Sequence, residues 1–295
     1  MATGNPQPPK ENANLHDVEE TLLTTLFAKA RDAESDKPIL GDPYARPLLD
    51  RCAVDLNRPV FRGIDNGPAI RGIATRSRAI DDLVREFLDQ HAGNPVTVVH
   101  LGCGMDTRAL RIARGPDVRW VDLDLPDVAD LRRRVITNPA PAGDYQLYGG
   151  DASDLAWLEK VPAGCETLVA AEGMLLYWEP SSVERLLRAV VEHFGSGELV
   201  FDVTSEVYVR LSDHVEMLQG NGARWRWGVD DTKIVERLHP GLRLVAELDM
   251  TTPEVLERIL RGTFGDRFEQ VRPELELSLE GYKAISKVLK LEFRK

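Results

Sequence analysis

The segment VVHLGCGMDTRALR, which runs from Val98 to Arg111, is the feature that most constrains the fold of this chain. Its apolar first residues are typical of a strand that is buried on both faces. The strand ends at Gly102 and Gly104, which permit a tight turn and let a ligand approach the backbone closely. A helical stretch follows at once and offers its N-terminal N–H groups to polar parts of such a ligand. The segment therefore predicts a strand–turn–helix unit with a binding site at the turn.

Short apolar runs recur along the chain at the spacing of βαβ units. They are VTVVHL (96–101), VRWVDLDL (118–125), YQLYGGD (145–151), ETLVAA (166–171), ELVFDV (198–203), LRLVAEL (242–248) and YKAISKVLKLEF (282–293). Helical patterns separate most of these runs, which predicts a parallel sheet covered by helices on both faces. The expected fold class is α/β.

The expected organisation has five parts. Residues 1–14 lack the basic-then-apolar layout of a signal peptide and are predicted to be a disordered lead-in. Residues 15–92 contain two amphipathic helices, for the second of which Thr75 is the predicted cap, and form a helical N-terminal segment. Residues 93–203 form the α/β core, and residues 242–295 form its C-terminal part. Between them, residues 204–241 break the alternation and predict an insertion over the sheet.

Charge and composition exclude several classes of function. The formal net charge of −11 argues against general binding to nucleic acid or to an anionic membrane. No apolar run approaches the roughly 20 residues that are needed to span a bilayer. The 3 cysteines are far apart and fit neither a disulfide framework nor a metal site. We therefore expect a cytoplasmic protein without a metal, whereas its oligomeric state stays open.

Acidic residues follow three of the predicted strands at the same edge of the sheet. Asp122 and Asp124 share one strand face, and one of them is expected to accept hydrogen bonds from ribose hydroxyl groups. Asp151 follows the third run, where it either meets an adenine amino group or caps the next helix. Glu172 follows the fourth run, where a carboxylate is costly unless it is paired or faces a ligand. Together these acids predict a nucleoside site.

The expected ligand is a nucleoside without a pyrophosphate. Thr107 stands where a dinucleotide fingerprint has its third glycine, so an NAD-type dehydrogenase is disfavoured. S-adenosylmethionine fits because it has a ribose, an adenine and a cationic sulfonium, and because it carries no phosphate. A non-catalytic protein that binds this cofactor is an alternative.

These segments together resemble the leucine carboxyl methyltransferase family, and most closely its branch of polyketide carboxyl O-methyltransferases of the tetracenomycin type. The resemblance rests on the segments GDPYA, ATRSRAIDDLV, LGCGMDTRALR, WVDLDLPDV, GDASDLAWL and AEGMLLYWEPSSVERLL. It implies methyl transfer from S-adenosylmethionine on a seven-stranded, Rossmann-like class I methyltransferase sheet whose last strand is antiparallel. It also implies that the helical N-terminal segment is a lid over the cofactor.

The resemblance implies roles for residues at the methionine end of the cofactor. Arg76 matches an arginine that binds the methionine carboxylate, and Lys29 or Arg31 matches a second basic position near it. Glu172 matches a glutamate beside the methionine amino group.

At the nucleoside end, the two glycines of the turn would pack against the cofactor. Asp124 best matches the ribose-binding acid of the family, with Asp122 a close second. Asp151 and Ala152 match a pair beside the adenine.

Candidates for contact with the methyl acceptor lie mainly in the insertion. Tyr208, Trp225 and Trp227 are suited to packing on a flat apolar molecule, and Arg224 or Arg226 to holding a carboxylate. The alternative for the aromatic residues is ordinary packing of the insertion on the sheet.

Two further residues are candidates for a catalytic role. Tyr177 follows the fourth run and would face the cleft, and His214 is the histidine nominated as a base. A carboxylate acceptor is ionised at neutral pH and needs no base, whereas a phenol needs one. The expected reaction is methylation of a carboxylate or phenolic oxygen of a small secondary metabolite. The alternative acceptor is the C-terminal carboxyl group of a protein.

Overall fold

The computed structural model describes residues 10–12, 20–136, 144–214, 223–250, 261, 264–278 and 286–295. Seven strands form the main sheet: β1 (Val96–Leu101), β2 (Val118–Asp124), β3 (Asp144–Gly149), β4 (Glu166–Ala171), β5 (Ser196–Thr204), β6 (Leu242–Asp249) and β7 (Ser286–Arg294). Their order across the sheet is β3-β2-β1-β4-β5-β7-β6. Strands β1 to β5 pair in parallel, and β7 is antiparallel to both of its neighbours. The predicted α/β sheet with an antiparallel last strand is confirmed.

The described helices surround this sheet. They are α1 (Glu20–Ala33), α2 (Ala45–Arg51), α3 (Pro59–Ile64), α4 (Gly67–Gln90), α5 (Arg108–Arg111), α6 (Pro126–Val135), α7 (Pro180–Phe194), α8 (Glu206–Arg210) and α9 (Phe268–Ser278). None of them is long and apolar enough to cross a membrane.

Strand order places a crevice at one edge of the sheet. β1 pairs with β2 on one side and with β4 on the other, so the connections after β1 and β4 leave in opposite directions. In parallel sheets ligands bind at such a switch point, beyond the carboxyl ends of the strands. All six residues of β1 are buried, which agrees with its continuous apolar pattern.

Helix α4 differs from its predicted length. Asn66 caps it, and the Asn66 side chain accepts a hydrogen bond from the backbone nitrogen of Ala69 at 2.9 Å. Thr75, the predicted cap, therefore lies inside the helix, and the prediction was wrong because Asn66-Gly67-Pro68 is the stronger start signal. The longer helix carries Arg76 and Ser77 to the carboxyl edge of the sheet.

The N-terminal region contains a short pair of strands that the sequence pattern did not predict. Glu11–Asn12 pairs in parallel with Cys52–Ala53, so this part of the expected disordered lead-in is ordered. Residues 1–9, 13 and 14 lie outside the described residues. Helix α1 packs against α2 and α4, and its buried face contributes to a core cluster with Met105 and Val128. That the segment 15–92 acts as a lid stays a prediction.

The close pairing of β4 and β5 gives a test of the fold. Gly197 has a φ of +151°, and a Cβ there would lie 1.9 Å from the carbonyl oxygen of Thr167. We expect Gly197→Ala to lower the free energy of unfolding by more than about 2 kcal/mol. Gly72 in α4 is the matched control, because nothing lies within 4 Å of its Cβ position. Gly72→Ala should raise stability by about 1 kcal/mol, since alanine favours helices.

Urea denaturation of the two variants checks this prediction. Equal stability of wild type and Gly197→Ala would contradict the close approach of the two backbones.

Candidate functional site

A cavity of 220 Å³ lies at the carboxyl ends of β1, β2 and β4. Helices α1 and α4, the glycine turn after β1 and the loop after β4 form its walls. The residues predicted from the sequence that line it are Lys29, Arg76, Gly102, Gly104, Asp124, Glu172, Tyr177 and Trp225. The predicted residues outside its lining are Arg31, Asp122, Asp151, Ala152, Tyr208, His214, Arg224, Arg226 and Trp227.

The two glycines of the turn have backbone conformations that other residues rarely adopt. Gly102 has a φ of +59° and Gly104 a φ of +48°. A Cβ on Gly102 would lie 2.8 Å from the sulfur of Met174, on the facing loop after β4. Glycine at this position therefore lets the side chain of Met174 pack closely against the turn.

Asp124 lies at the end of β2 and is held by backbone donors. Its Oδ2 accepts a hydrogen bond from the Gly104 nitrogen at 2.6 Å, and its Oδ1 accepts one from the Leu125 nitrogen at 2.8 Å. Burial raises the pKa of Asp124, although both N–H groups oppose this shift. Each oxygen retains capacity for a further donor, which suits the hydroxyl groups of a ribose.

Asp122 is turned away from the cavity into a buried cluster behind the turn. It accepts hydrogen bonds from Arg132 at 2.6 Å, Trp120 Nε1 at 2.7 Å and the Tyr145 hydroxyl at 2.8 Å. Arg132 also donates to the carbonyl oxygen of Gly104 at 3.0 Å. Asp122 thus supports the turn from behind, and of the two alternatives the geometry favours Asp124 as the ribose acid.

Glu172, directly after β4, is surrounded by donors. Its Oε1 accepts from the Ser77 hydroxyl at 2.6 Å, and its Oε2 accepts from Arg108 Nη2 at 2.6 Å. Lys29 Nζ lies 3.5 Å from Oε1. Although burial raises the pKa of Glu172, Lys29, Arg108 and Arg76 together bring it below its ordinary value. Glu172 is therefore an ionised carboxylate on the cavity wall.

Arg108 is a central residue of the site that the sequence interpretation missed. It is completely buried, and its Nε donates to Asp81 on α4 at 2.7 Å. Its Nη1 donates to His100 Nε2 at 3.0 Å. Arg111 pairs with the same Asp81 at 2.6 Å and with Asp106 at 2.9 Å. The signal for Arg108 is the motif GMDTRALR, in which charged residues directly follow a turn at the end of a buried strand.

The two basic candidates of α1 have different positions. Lys29 is 3% exposed and pairs with Asp106 and Glu172 on the cavity wall. Arg31 is 44% exposed and pairs with Asp65 at 3.0 Å, away from the cavity. Of these alternatives, the geometry favours Lys29.

Arg76 reaches the cavity from α4. Its Nη1 lies 3.2 Å from Asp202 Oδ2, and its Nε lies 3.4 Å from Glu172 Oε1. The interpretation of the sequence did not include Asp202, although an acid in the apolar run ELVFDV requires a partner in the same way as Glu172.

The predicted adenine pair does not reach the cavity. Asp151 is exposed, and its Oδ1 accepts a hydrogen bond from the Ser153 nitrogen at 2.8 Å. Ala152 is buried, and its carbonyl oxygen accepts from Trp157 Nε1 at 3.1 Å. The alternative, a cap on the next helix, is not seen either, because Leu155 precedes the helical turn Ala156–Lys160 and makes no side-chain cap. Asp151 instead binds a nearby backbone N–H group, as short acidic side chains readily do. Its contact with an adenine stays a prediction.

One aromatic residue of the insertion lines the cavity. Trp225 stacks on Tyr208 with ring centroids 4.9 Å apart, and Tyr208 lies behind it rather than on the cavity. The Arg226 nitrogen donates to the Leu176 carbonyl oxygen at 2.7 Å, which holds this extended segment beside Tyr177. Trp225 and Tyr177 therefore form an aromatic wall of the cavity.

The other insertion candidates face away from the cavity. Arg224 donates to Asp213 at 2.8 Å and Arg226 to Glu179 at 2.7 Å, both at the exposed surface. Trp227 packs in the main core. Residues alternate between the two sides of an extended segment, so neighbours of Trp225 point outward.

The two candidates for a catalytic role lie at different positions. His214 ends a short 3-10 turn, Ser212–His214, and does not line the cavity. Tyr177 lines the cavity, but burial raises the pKa of its phenol, so it stays protonated at neutral pH. The described residues contain no group of His, Cys, Asp and Glu side chains arranged to hold a metal ion.

The chain is similar in sequence to known methyltransferases. A model of the leucine carboxyl methyltransferase family matches residues 22–191. The S-adenosyl-L-methionine-dependent methyltransferase dpfgK of Gibberella zeae is 36% identical over 247 residues, which cover 79% of this chain and 83% of that protein. Tetracenomycin polyketide synthesis O-methyltransferase TcmP of Streptomyces glaucescens is 35% identical over 240 residues, which cover 81% of this chain and 86% of that protein.

A solved structure shares the fold. A DUF574 family protein from Streptomyces avermitilis aligns with a TM-score of 0.56 at 11% sequence identity, and the alignment covers 92% of this chain and 97% of that chain.

The two acids of β2 give a paired test of the site. Asp124→Asn should weaken binding of S-adenosylhomocysteine by about 1–3 kcal/mol, because a charged acceptor is lost. Asp122→Asn should instead lower the free energy of unfolding by about 3 kcal/mol, because Arg132 loses its buried partner. Calorimetric titration and urea denaturation measure the two effects. Loss of binding in Asp122→Asn with normal binding in Asp124→Asn would reverse the assignment.

The raised pKa of Asp124 predicts a pH dependence of binding. Protonation removes the charged acceptor, so affinity for S-adenosylhomocysteine should decrease as the pH falls through the pKa of Asp124, which lies above its ordinary value. Asp124→Asn has no carboxyl group to titrate and should bind with a flatter pH profile. Dissociation constants of both proteins across the acid range check this. Identical profiles would assign the titration to another group.

Proposed function

This chain belongs to the leucine carboxyl methyltransferase family and is an S-adenosylmethionine-dependent methyltransferase, and we propose that it methylates a carboxylate or phenolic oxygen of a small, flat, polyketide-like molecule. One observation carries the proposal. The cavity joins a wall of charged groups, which suits the cofactor, to an aromatic wall formed by Tyr177 and Trp225, which suits a flat acceptor. The similarity to a polyketide O-methyltransferase supports the same acceptor class.

The residues of the cavity fit S-adenosylmethionine. When bound, this cofactor supplies an electrophilic methyl group on a cationic sulfur. Asp124 would accept hydrogen bonds from its ribose, and the turn at Gly102 and Gly104, which lines the cavity, would pack against the cofactor. Arg76 and Lys29 would hold its carboxylate, and Glu172 would face its ammonium group. These groups orient the ligand within a cavity that α1 borders on one side.

A carboxylate is the acceptor that these residues favour. His100 is the histidine among the described residues of the cavity lining, and Arg108 donates to its Nε2. Lys29 and Arg108 hold Glu172 as an ion-paired carboxylate. A carboxylate acceptor needs no base, so the chain has to exclude water and align the acceptor oxygen with the methyl group.

Matched aromatic acceptors test the acceptor class. Purified protein is incubated with methyl-labelled S-adenosylmethionine and either 2-naphthoic acid or 2-naphthol. We expect label in 2-naphthoic acid, as a methyl ester that releases labelled methanol in mild base. Transfer to 2-naphthol alone, as a base-stable ether, would assign phenolic specificity. Transfer to neither compound by protein that binds S-adenosylhomocysteine would contradict the proposed acceptor class.

A substitution of Trp225 tests whether the aromatic wall binds the acceptor. Trp225→Leu should lower kcat/KM for 2-naphthoic acid by about tenfold, because ring contacts of this kind contribute about 1 kcal/mol or more. Its affinity for S-adenosylhomocysteine should stay the same. Arg226→Gln is the matched control on the same segment, since this arginine faces Glu179 at the surface. Equal losses in both variants would contradict an acceptor site at Trp225.

A further inference from the structure

Strand β5 extends past the end of β4 and places an acid beside the cofactor site. Ala171, the last residue of β4, pairs with Phe201, so Asp202 lies next to the loop that begins at Glu172. Asp202 is 3% exposed and follows an apolar run. A buried carboxylate at this position requires partners of its own.

Asp202 has two partners, and both belong to the cavity wall. Its Oδ1 accepts a hydrogen bond from the Gly173 nitrogen at 2.6 Å, and its Oδ2 accepts one from Arg76 Nη1 at 3.2 Å. Arg76 Nε lies 3.4 Å from Glu172 Oε1 on the other side. The Arg76 guanidinium is therefore held between two carboxylates.

Gly173 lets the guanidinium lie against the loop. Its φ is +63°, and a Cβ there would lie 3.1 Å from Arg76 Nη2. Asp202 binds both the backbone of this glycine and the side chain that packs on it. Because a guanidinium is a planar donor, such contacts determine the direction in which its remaining N–H groups point.

We propose that Asp202 is a positioning residue that orients the Arg76 guanidinium for the carboxylate of the cofactor's methionine part. Asp202 is not among the residues that line the cavity, whereas Arg76 and Gly173 are. It acts through these two neighbours rather than by contact with a ligand. The proposal rests on the proposed function only in assigning Arg76 to the cofactor carboxylate.

Two ligands separate orientation of Arg76 from general damage to the site. S-adenosylhomocysteine carries the amino acid part, and 5′-methylthioadenosine lacks it. Asp202→Asn retains the size of the side chain and an oxygen for the Gly173 nitrogen, but it removes the charge that faces Arg76. We expect its dissociation constant for S-adenosylhomocysteine to rise about tenfold and that for 5′-methylthioadenosine to change less than about twofold. Equal weakening of both ligands, or of neither, would overturn the proposal.

A double-mutant cycle tests whether the effect passes through Arg76. We expect Arg76→Ala with Asp202→Asn to bind S-adenosylhomocysteine no more weakly than Arg76→Ala alone, because the orienting residue has nothing left to orient. Additive losses would overturn the proposal. If Arg76→Ala alone binds S-adenosylhomocysteine normally, the assignment of Arg76 fails, and the acceptor experiments with the naphthalene compounds are unaffected.

Two further variants control for stability. Asp122→Asn also removes a buried acid that pairs with an arginine, but at a position outside the cavity lining. It should leave the preference between the two ligands unchanged.

If thermal unfolding shows that Asp202→Asn does not fold, Arg76→Lys replaces it. Lysine keeps the charge without the planar fork, so S-adenosylhomocysteine should bind about tenfold more weakly. Normal binding by Arg76→Lys would show that orientation is not required.

Discussion

The buried guanidinium of Arg108 is the constraint on which the rest of the site depends. No part of this side chain is exposed, so its charge has to be matched inside the protein. Its partners lie on α4, on β1 and directly after β4: Asp81, His100 and Glu172. Because one group joins these three elements, helix α4, strand β1 and the loop after β4 keep one arrangement. Removing one partner of such a buried pair typically costs about 3–5 kcal/mol.

Much of the fold could be predicted from the sequence because its signals are local. Continuous apolar runs such as β1 identify strands that are buried on both faces, and Gly102 and Gly104 mark the turn between strand and helix. Helix starts were predicted less well, since a threonine inside α4 resembles a cap when Asn66 is overlooked. The antiparallel direction of β7 came from the family resemblance rather than from any local pattern.

The partners of the charged residues could not be predicted in the same way, because ion pairs join residues that are distant in sequence. Glu172 was singled out as an acid in an apolar environment, and the same reasoning would have identified Asp202. On the acceptor side, Trp225 faces the cavity and Arg226 the surface because residues alternate along an extended segment. The alternation alone does not show which of the two residues faces the cavity. The position of the segment has to be known first, and the hydrogen bond from the Arg226 nitrogen to the Leu176 carbonyl oxygen fixes it.

The central claim is that the glycine turn, Asp124, Glu172 and Arg76 form one cofactor site. Calorimetric titration of the purified protein, freed of any co-purified ligand, tests it most directly. S-adenosylhomocysteine is the ligand, and NADH is the control. The account predicts saturable binding of S-adenosylhomocysteine at one site per chain and no binding of NADH. A folded, ligand-free protein that does not bind S-adenosylhomocysteine, or that binds NADH instead, would contradict it.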